Sequence, residues 1–86
     1  MELEWDPHKA AANLRKHGIS FNEASSVFGD PFNWEAPGPD HSHEESRFLT
    51  VGMSERNRLL LVSHTERGHK VRIISARETT KRKRIL

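Results

Sequence analysis

Four arginines in the second half of the chain could hold oxyanions: Arg47, Arg67, Arg72 and Arg77. A guanidinium stays ionised, and its planar fork can bind two oxygens of one phosphate. Arg72 lies between Val71 and Ile73 in a β-rich run. Alternation places it on the opposite face, with Ile74 and Ala76. If helices cover the Val71 and Ile73 face, Arg72 stands on the open one. Arg67 falls in Glu66-Arg67-Gly68-His69, which reads as a turn. Glu66 there can pair with an arginine or accept a proton. The histidines bring acid–base chemistry near neutral pH. His17, beside Lys16, falls at a helix C-terminus, where a cation is favoured. His64 falls late in a central strand, either as a buried, hydrogen-bonded side chain or as a proton-transfer group. His8 and His69 read as surface residues. No pair has the spacing of a catalytic dyad, so acid and base stay unassigned.

The run Asp40-His41-Ser42-His43-Glu44-Glu45 carries a His-x-His pair with flanking carboxylates. A divalent ion could bind there, but no second cluster stands at ligand spacing. A solvated loop is the expectation, with Glu45 paired to a basic residue and no metal or other cofactor. The sequence has no cysteine, which excludes a disulfide scaffold, a thiolate metal site and a cysteine nucleophile. Lys81-Arg82-Lys83-Arg84 would neutralise phosphates without reading sequence. Trp34 stands in an irregular stretch, where it could stack on a base or anchor a partner. Trp5, Phe21, Phe28, Phe32 and Phe48 mostly read as core, so no aromatic stacking platform is evident.

The charges are unevenly placed. Residues 1–46 carry three basic against nine acidic residues, a net −6, and residues 47–86 carry eleven against three, a net +8. Unless folding interleaves the signs, the basic half calls for a polyanion such as nucleic acid. With 86 residues the chain is of one-domain length. A chain this short buries only about 60 to 65% of its unfolded surface, so a partner could add to its stability. No run approaches the roughly 18 apolar residues of a membrane span. The start, Met1 to Asp6, is acidic and lacks an apolar signal core. These features point to a cytoplasmic protein.

The elements that must position these residues are legible in outline. Leu3 to Trp5 reads as a short strand. Asp6 is a good N-cap, Pro7 suits the first helical position, and Gly18 suits the end of a helix over 7–17. Ala10, Ala11 and Leu14 mark its apolar side. Ser20 and Glu23 form a capping-box spacing for a second helix, with Phe21, Ala24, Val27 and Phe28 on one face. Gly29-Asp30-Pro31 stops it. Phe32 to Glu35 could be a strand. Phe48–Ser54, Leu59–Thr65 and Val71–Ala76 form a meander, with residues 59–62, apolar on both faces, in a central strand. Glu78 to Leu86 is expected to be a short basic helix. The expected class is α+β: an antiparallel sheet of the meander plus the N-terminal strand, with two helices on one face.

Read together, several segments resemble the BrnT family. They are Leu3-Glu4-Trp5-Asp6-Pro7, Lys9, Asn13, Lys16-His17-Gly18, Phe21, Glu23, Ala24 and Phe28-Gly29-Asp30-Pro31. The second half adds Glu45, Arg47-Phe48, Gly52, Leu60, Thr65-Glu66-Arg67-Gly68 and Arg72-Ile73-Ile74-Ser75-Ala76-Arg77. The resemblance implies a RelE-like fold and a type II toxin that cleaves RNA and inhibits translation. It implies a BrnA-like antitoxin as partner, with DNA met only indirectly through that partner, and no membrane. Arg47, Arg67, Arg72 and Arg77 all match the family pattern. RNA supplies its own 2′-hydroxyl nucleophile, so no metal is needed. Arg67, Arg72 and Arg77 would then hold the phosphate. His64, His17 and Glu66 are the proton-transfer candidates, and Arg47, Lys16, Lys81, Arg82, Lys83 and Arg84 the further RNA contacts. Family members usually continue into a basic helix with a Glu and a Tyr. Here residues 79–86 hold neither, which leaves a non-catalytic nucleic-acid- or antitoxin-binding module as the alternative.

Overall fold

The computed structural model describes residues 1–38 and 47–80. In order, the elements are β1 (Glu2–Glu4), α1 (Pro7–His17), α2 (Phe21–Ser25), a 3₁₀ turn (Ser26–Gly29), β2 (Trp34–Pro37), β3 (Arg47–Met53), β4 (Leu59–Arg67) and β5 (Lys70–Glu78). One five-stranded sheet has the order β1-β5-β4-β3-β2. The class is α+β, and β4, the strand apolar on both faces, is central.

The sheet is mixed rather than antiparallel throughout. β1 lies parallel to β5, with Glu4 opposite Arg72. The cause is the connection. Two helices intervene between β1 and the rest, and a crossover of that length lets an edge strand run parallel. The remaining pairs are antiparallel.

Local chemistry sets both ends of α1. The Asp6 carboxylate accepts the His8 N–H at 2.8 Å. Gly18 takes φ 72°, and its N–H closes on the Leu14 carbonyl at 2.9 Å. The buried side of α1 is only in part the one its alanines and leucine mark: Ala10 packs against the core, while Ala11 is exposed. Leu14 is 51% exposed, while Asn13 is buried. Asn13 Nδ2 donates to the carbonyls of Ile19 at 2.9 Å and Ala76 at 2.8 Å. Its Oδ1 accepts the Ala76 N–H at 3.1 Å. The second helix is also shorter than its apolar spacing suggests. The Ser20 hydroxyl caps the Glu23 N–H at 3.0 Å, and after Ser25 the chain tightens into the 3₁₀ turn.

The core lies between these helices and one face of the sheet. Ile19, Phe21, Ala24 and Val27 meet Leu60, Val62, Ile73 and Ala76. Trp5 packs edge-on against Phe21, with ring centroids 5.9 Å apart. Glu23 is buried here too, accepting hydrogen bonds from Ser54 Oγ at 2.7 Å and Arg58 Nε at 2.9 Å. It ties α2 to the β3–β4 connection, where Asn57 adopts φ 62°. Gly52 leaves room for the 3₁₀ turn. A Cβ there would stand 2.8 Å from Val27 Cγ1 and 3.0 Å from Asn33 Cβ.

Other differences follow from pairing. β4 and β5 run on to Arg67 and Lys70, which pair with each other, so Glu66 and Arg67 belong to a strand rather than a turn. A bulge shifts the register between Ser63 and His64, with Ile73 opposite His64 and Ser75 opposite Ser63. The extra residue, Ile74, reverses the alternation. Ala76 therefore joins Ile73 in the core instead of sharing Arg72's face. β2 starts two residues later than expected. Phe32 is 88% exposed, its N–H held by Asp30 Oδ1 at 2.9 Å. Glu78 ends β5 rather than opening a helix, and residues 81–86 of the expected terminal helix lie outside the described residues. No helix among the described residues is long and apolar enough to cross a membrane.

Two outcomes follow. Asn13→Leu leaves the Ala76 peptide group unsatisfied under α1, and the urea midpoint should report a loss of about 2–4 kcal/mol. Gly52→Ala forces the 3₁₀ turn outward and should cost about 1–3 kcal/mol by the same measurement.

Candidate functional site

The face of the sheet away from the helices carries three rows of side chains, each crossing several strands. The first row is Glu4, Arg72, Thr65 and Arg47 on β1, β5, β4 and β3. The second is Ser75, Ser63, Leu49 and Ala36. The third is Arg77, Leu61, Val51 and Trp34. Alternation puts all of them on one face, and successive rows lie roughly 7 Å apart.

The first row is electrostatically organised. Arg72 Nε donates to Glu4 Oε2 at 3.3 Å, and Lys70 Nζ lies 3.9 Å from Glu4 Oε1. So the acidic and basic halves of the chain do interleave, at the β1 edge. Glu4 fixes Arg72 without neutralising the face, because five cations, Arg47, Arg67, Lys70, Arg72 and Arg77, stand on it against the two carboxylates of Glu2 and Glu4. Arg47 and Arg72 flank Thr65 at one strand's distance each, roughly 10 Å apart at the backbone. Two arginine side chains can converge on one phosphate over that span. Thr65, in the middle of this row, is fully buried, and its hydroxyl has no hydrogen-bond partner among the described residues.

Beside the first row lies an open groove of ≈ 450 Å³. Arg47 and Arg77 stand at its ends, with Leu49, Leu61, Ser63 and Ser75 between them. Ser75 also borders a second concavity of ≈ 200 Å³, past the flank of β5 where β1 has ended. Lys9, Asn13, Lys16 and His17 of α1 line it. The structure thus brings Arg47, Arg67, Arg72 and Arg77 onto one face and sets Lys16 and His17 at its flank. Arg67 lies at the exposed end of β4, away from the groove. Trp34, 51% exposed, ends the third row. The serines and Leu49 and Leu61 carried no chemical signal in the sequence; only the register of three strands reveals them.

His64 and Glu66 point the other way. His64 faces the helices and is 1% exposed. Its Nε2 lies 2.8 Å from Thr50 Oγ1 and 3.9 Å from Glu35 Oε2. The ring stacks on Phe48 at 5.9 Å and meets the edge of Phe28 at 5.0 Å. Burial holds its pKa below the ordinary 6.5, against the opposing pull of Glu35 and Glu66. His69 pairs with Glu2 at 3.2 Å, on the exposed β4–β5 turn. The His41 and His43 run and Lys81 to Arg84 lie outside the described residues. Among the described residues no group of three His, Asp or Glu side chains could hold a metal ion.

The chain has recognisable relatives. A family model described as the ribonuclease toxin BrnT of type II toxin–antitoxin systems matches residues 5–83. The crystal structure of the Brucella abortus ribonuclease toxin, BrnT, is similar in fold. It has a TM-score of 0.68 and 20% identity, with 93% of this chain and 97% of that chain covered. No curated protein sequence matches.

His64 sets a pH dependence of stability. The unfolded chain takes up a proton near pH 6.5, where the folded chain resists it. Stability is therefore full above 6.5 and falls as the pH drops below it. Glu23 acts with the same sign in a lower window. The Arg58 hydrogen bond holds its carboxylate below the ordinary 4.5, so its contribution is lost as the pH falls through that depressed value. Urea midpoints should decline between pH 7 and 5.5 in the native chain. In His64→Gln that decline should flatten, while the loss below pH 4.5 persists.

Proposed function

The chain belongs to the BrnT family of ribonuclease toxins of type II toxin–antitoxin systems, and from that premise we propose that it cleaves RNA on the open face of its sheet without a metal ion. The observation that carries this reading is the three-row face, with Arg47 and Arg77 lining one groove and Arg72 in Arg47's row beside it. The residues there suit phosphate and leave the nucleophile to the substrate. The RNA 2′-oxygen attacks the adjacent phosphorus in line, and the bond to the 5′-oxygen breaks. The products are a 2′,3′-cyclic phosphate and a 5′-hydroxyl. Arg72, steadied by Glu4, and Arg47 hold the non-bridging oxygens as charge builds on them. Arg77 holds the strand across the groove. A rigid sheet keeps these groups in place before the substrate arrives, which lowers the entropic part of the barrier.

Proton transfer falls to His17, which takes the 2′-hydroxyl proton, while water protonates the departing 5′-oxygen. Of the histidines in the described residues, it is the one at the groove's flank, where it shares a concavity with Ser75. His64 and Glu66 serve the core side instead, and Arg67 gives peripheral phosphate contact with Lys16. Cleavage of cellular RNA inhibits translation. A BrnA-like antitoxin blocks the site, and its own DNA-binding part brings the complex to DNA.

The test is cleavage of a defined RNA by the purified, antitoxin-free chain in excess EDTA. Cleavage should persist. Arg72→Ala and Arg77→Ala should each lower kcat/KM at least tenfold, about 1.4 kcal/mol of transition-state stabilisation. His17→Ala should remove one limb of the pH–rate profile. Loss of cleavage in EDTA would sink the metal-free mechanism. Arginine variants within twofold of the native rate would place the site elsewhere. RNA that binds but stays intact would favour the non-catalytic module.

A further inference from the structure

The middle of the groove is not what phosphate alone would require. A phosphate site is lined by donors, yet Leu49 and Leu61 occupy the centre here, each half-buried. Beside them Ser63 and Ser75 stand opposite one another on β4 and β5. The cations keep to the ends. Arg47 on β3 and Arg77 on β5 are two rows and two strands apart, roughly 17 Å between their backbones. Both line the groove, so they bracket a space with an apolar floor and a hydroxyl edge. Its volume of ≈ 450 Å³ falls in the range of small-molecule sites.

We infer that this groove is a nucleotide subsite. One unpaired base lies flat on Leu49 and Leu61, with its polar edge at the hydroxyls of Ser63 and Ser75. Arg47 and Arg77 hold the phosphates on either side. A base has apolar faces and a hydrogen-bonding rim, and this floor and edge match both. Charge complementarity selects the occupant: an arginine at each end of the groove calls for the phosphates that flank a base. Single-stranded RNA fits and a duplex does not, because paired bases have their edges engaged and their faces stacked. A strand leaving the groove over Ser75 meets Lys9, Lys16 and His17 in the adjoining concavity. The inference rests on reading the open face as the RNA site. It adds that cleavage depends on the identity of the seated base.

The four nucleoside 5′-monophosphates, and inorganic phosphate separately, would be titrated into isotope-labelled chain and followed by NMR. Phosphate alone should move signals at the arginine positions. At least one nucleotide should also move Leu49, Leu61, Ser63 and Ser75, and bind at least tenfold tighter than phosphate. Ser63→Val fills the groove and removes a hydroxyl while suiting a strand. It should weaken nucleotide binding at least fivefold and leave phosphate binding within twofold. Ser63→Ala cannot clash, and should change the ranking of the four bases. Nucleotides no tighter than phosphate, or a Ser63→Val chain that binds them as the native one does, would overturn the subsite. Cleavage separates the two readings. Native chain that cuts RNA with no base preference overturns the subsite and leaves the ribonuclease. Nucleotide binding in the groove of a chain that cuts no RNA keeps the subsite and overturns the ribonuclease.

Discussion

One side-chain amide holds this architecture together. Asn13 gives the Ala76 peptide group both the acceptor and the donor it lacks. β1 pairs with β5 only as far as Arg72, so beyond that point the outer edge of β5 has no neighbouring strand among the described residues. A bare edge buried under a helix would leave peptide groups unsatisfied, at a cost of about 1–3 kcal/mol each. Asn13 behaves as a one-residue continuation of β1, delivered from a helix. Its second donor bond, to the Ile19 carbonyl, also fixes the turn between the helices. The placement of α1 against β5, and so of Lys16 and His17 beside Ser75, depends on this one group.

The bulge at Ile74 makes that contact productive. With unbroken alternation Ser75 and Arg77 would point into the core, and Ala76 would point out. The extra residue turns Ala76 inward, below Asn13, and turns Ser75 and Arg77 onto the open face. Two features of one segment thus have a common cause. The irregularity that lets β5 meet the helix also builds the far end of the groove.

Legibility in the sequence tracked the range of the interaction. Features governed by neighbours in the chain were readable: the Asp6, Gly18 and Ser20 caps, the meander, and the central place of the doubly apolar β4. Features governed by distant partners were not. Asn13 looks like a surface residue until Ala76 is brought to it, and Leu14 looks buried until it is not. The parallel pairing of β1 depends on where two helices return the chain. The bulge leaves no mark in the composition of Arg72-Ile73-Ile74-Ser75-Ala76-Arg77. For the site, residue type pointed to the arginines, since a charge on a strand must find an open face. Alternation also offered His64 a buried, hydrogen-bonded place beside Leu60 and Val62, and there it is held by Thr50. Residue type could not raise Ser63 above any other serine.

The placement of Glu4 bears on how such a face stays folded. Like charges on neighbouring strands repel, and β4 and β5 set Arg67 directly opposite Lys70, with Arg72 and Arg77 farther along β5. The chain has little core with which to oppose that repulsion. Glu4 lies between Arg72 and Lys70 and offsets part of it at the sheet edge. The offset is partial by position, because Arg47 stands three strands away and Arg77 lies farther along β5, past the end of β1. Full neutralisation would steady the sheet and abolish its pull on a polyanion. A carboxylate at one end of the row relieves the strain where the sheet is weakest, at a three-residue edge strand, and leaves the field directed at the groove. The same carboxylate holds Arg72 in one orientation before any phosphate arrives, so less side-chain freedom is lost on binding. Stability and preorganisation are served by one ion pair, which is why an acidic N-terminal strand belongs beside a basic C-terminal one.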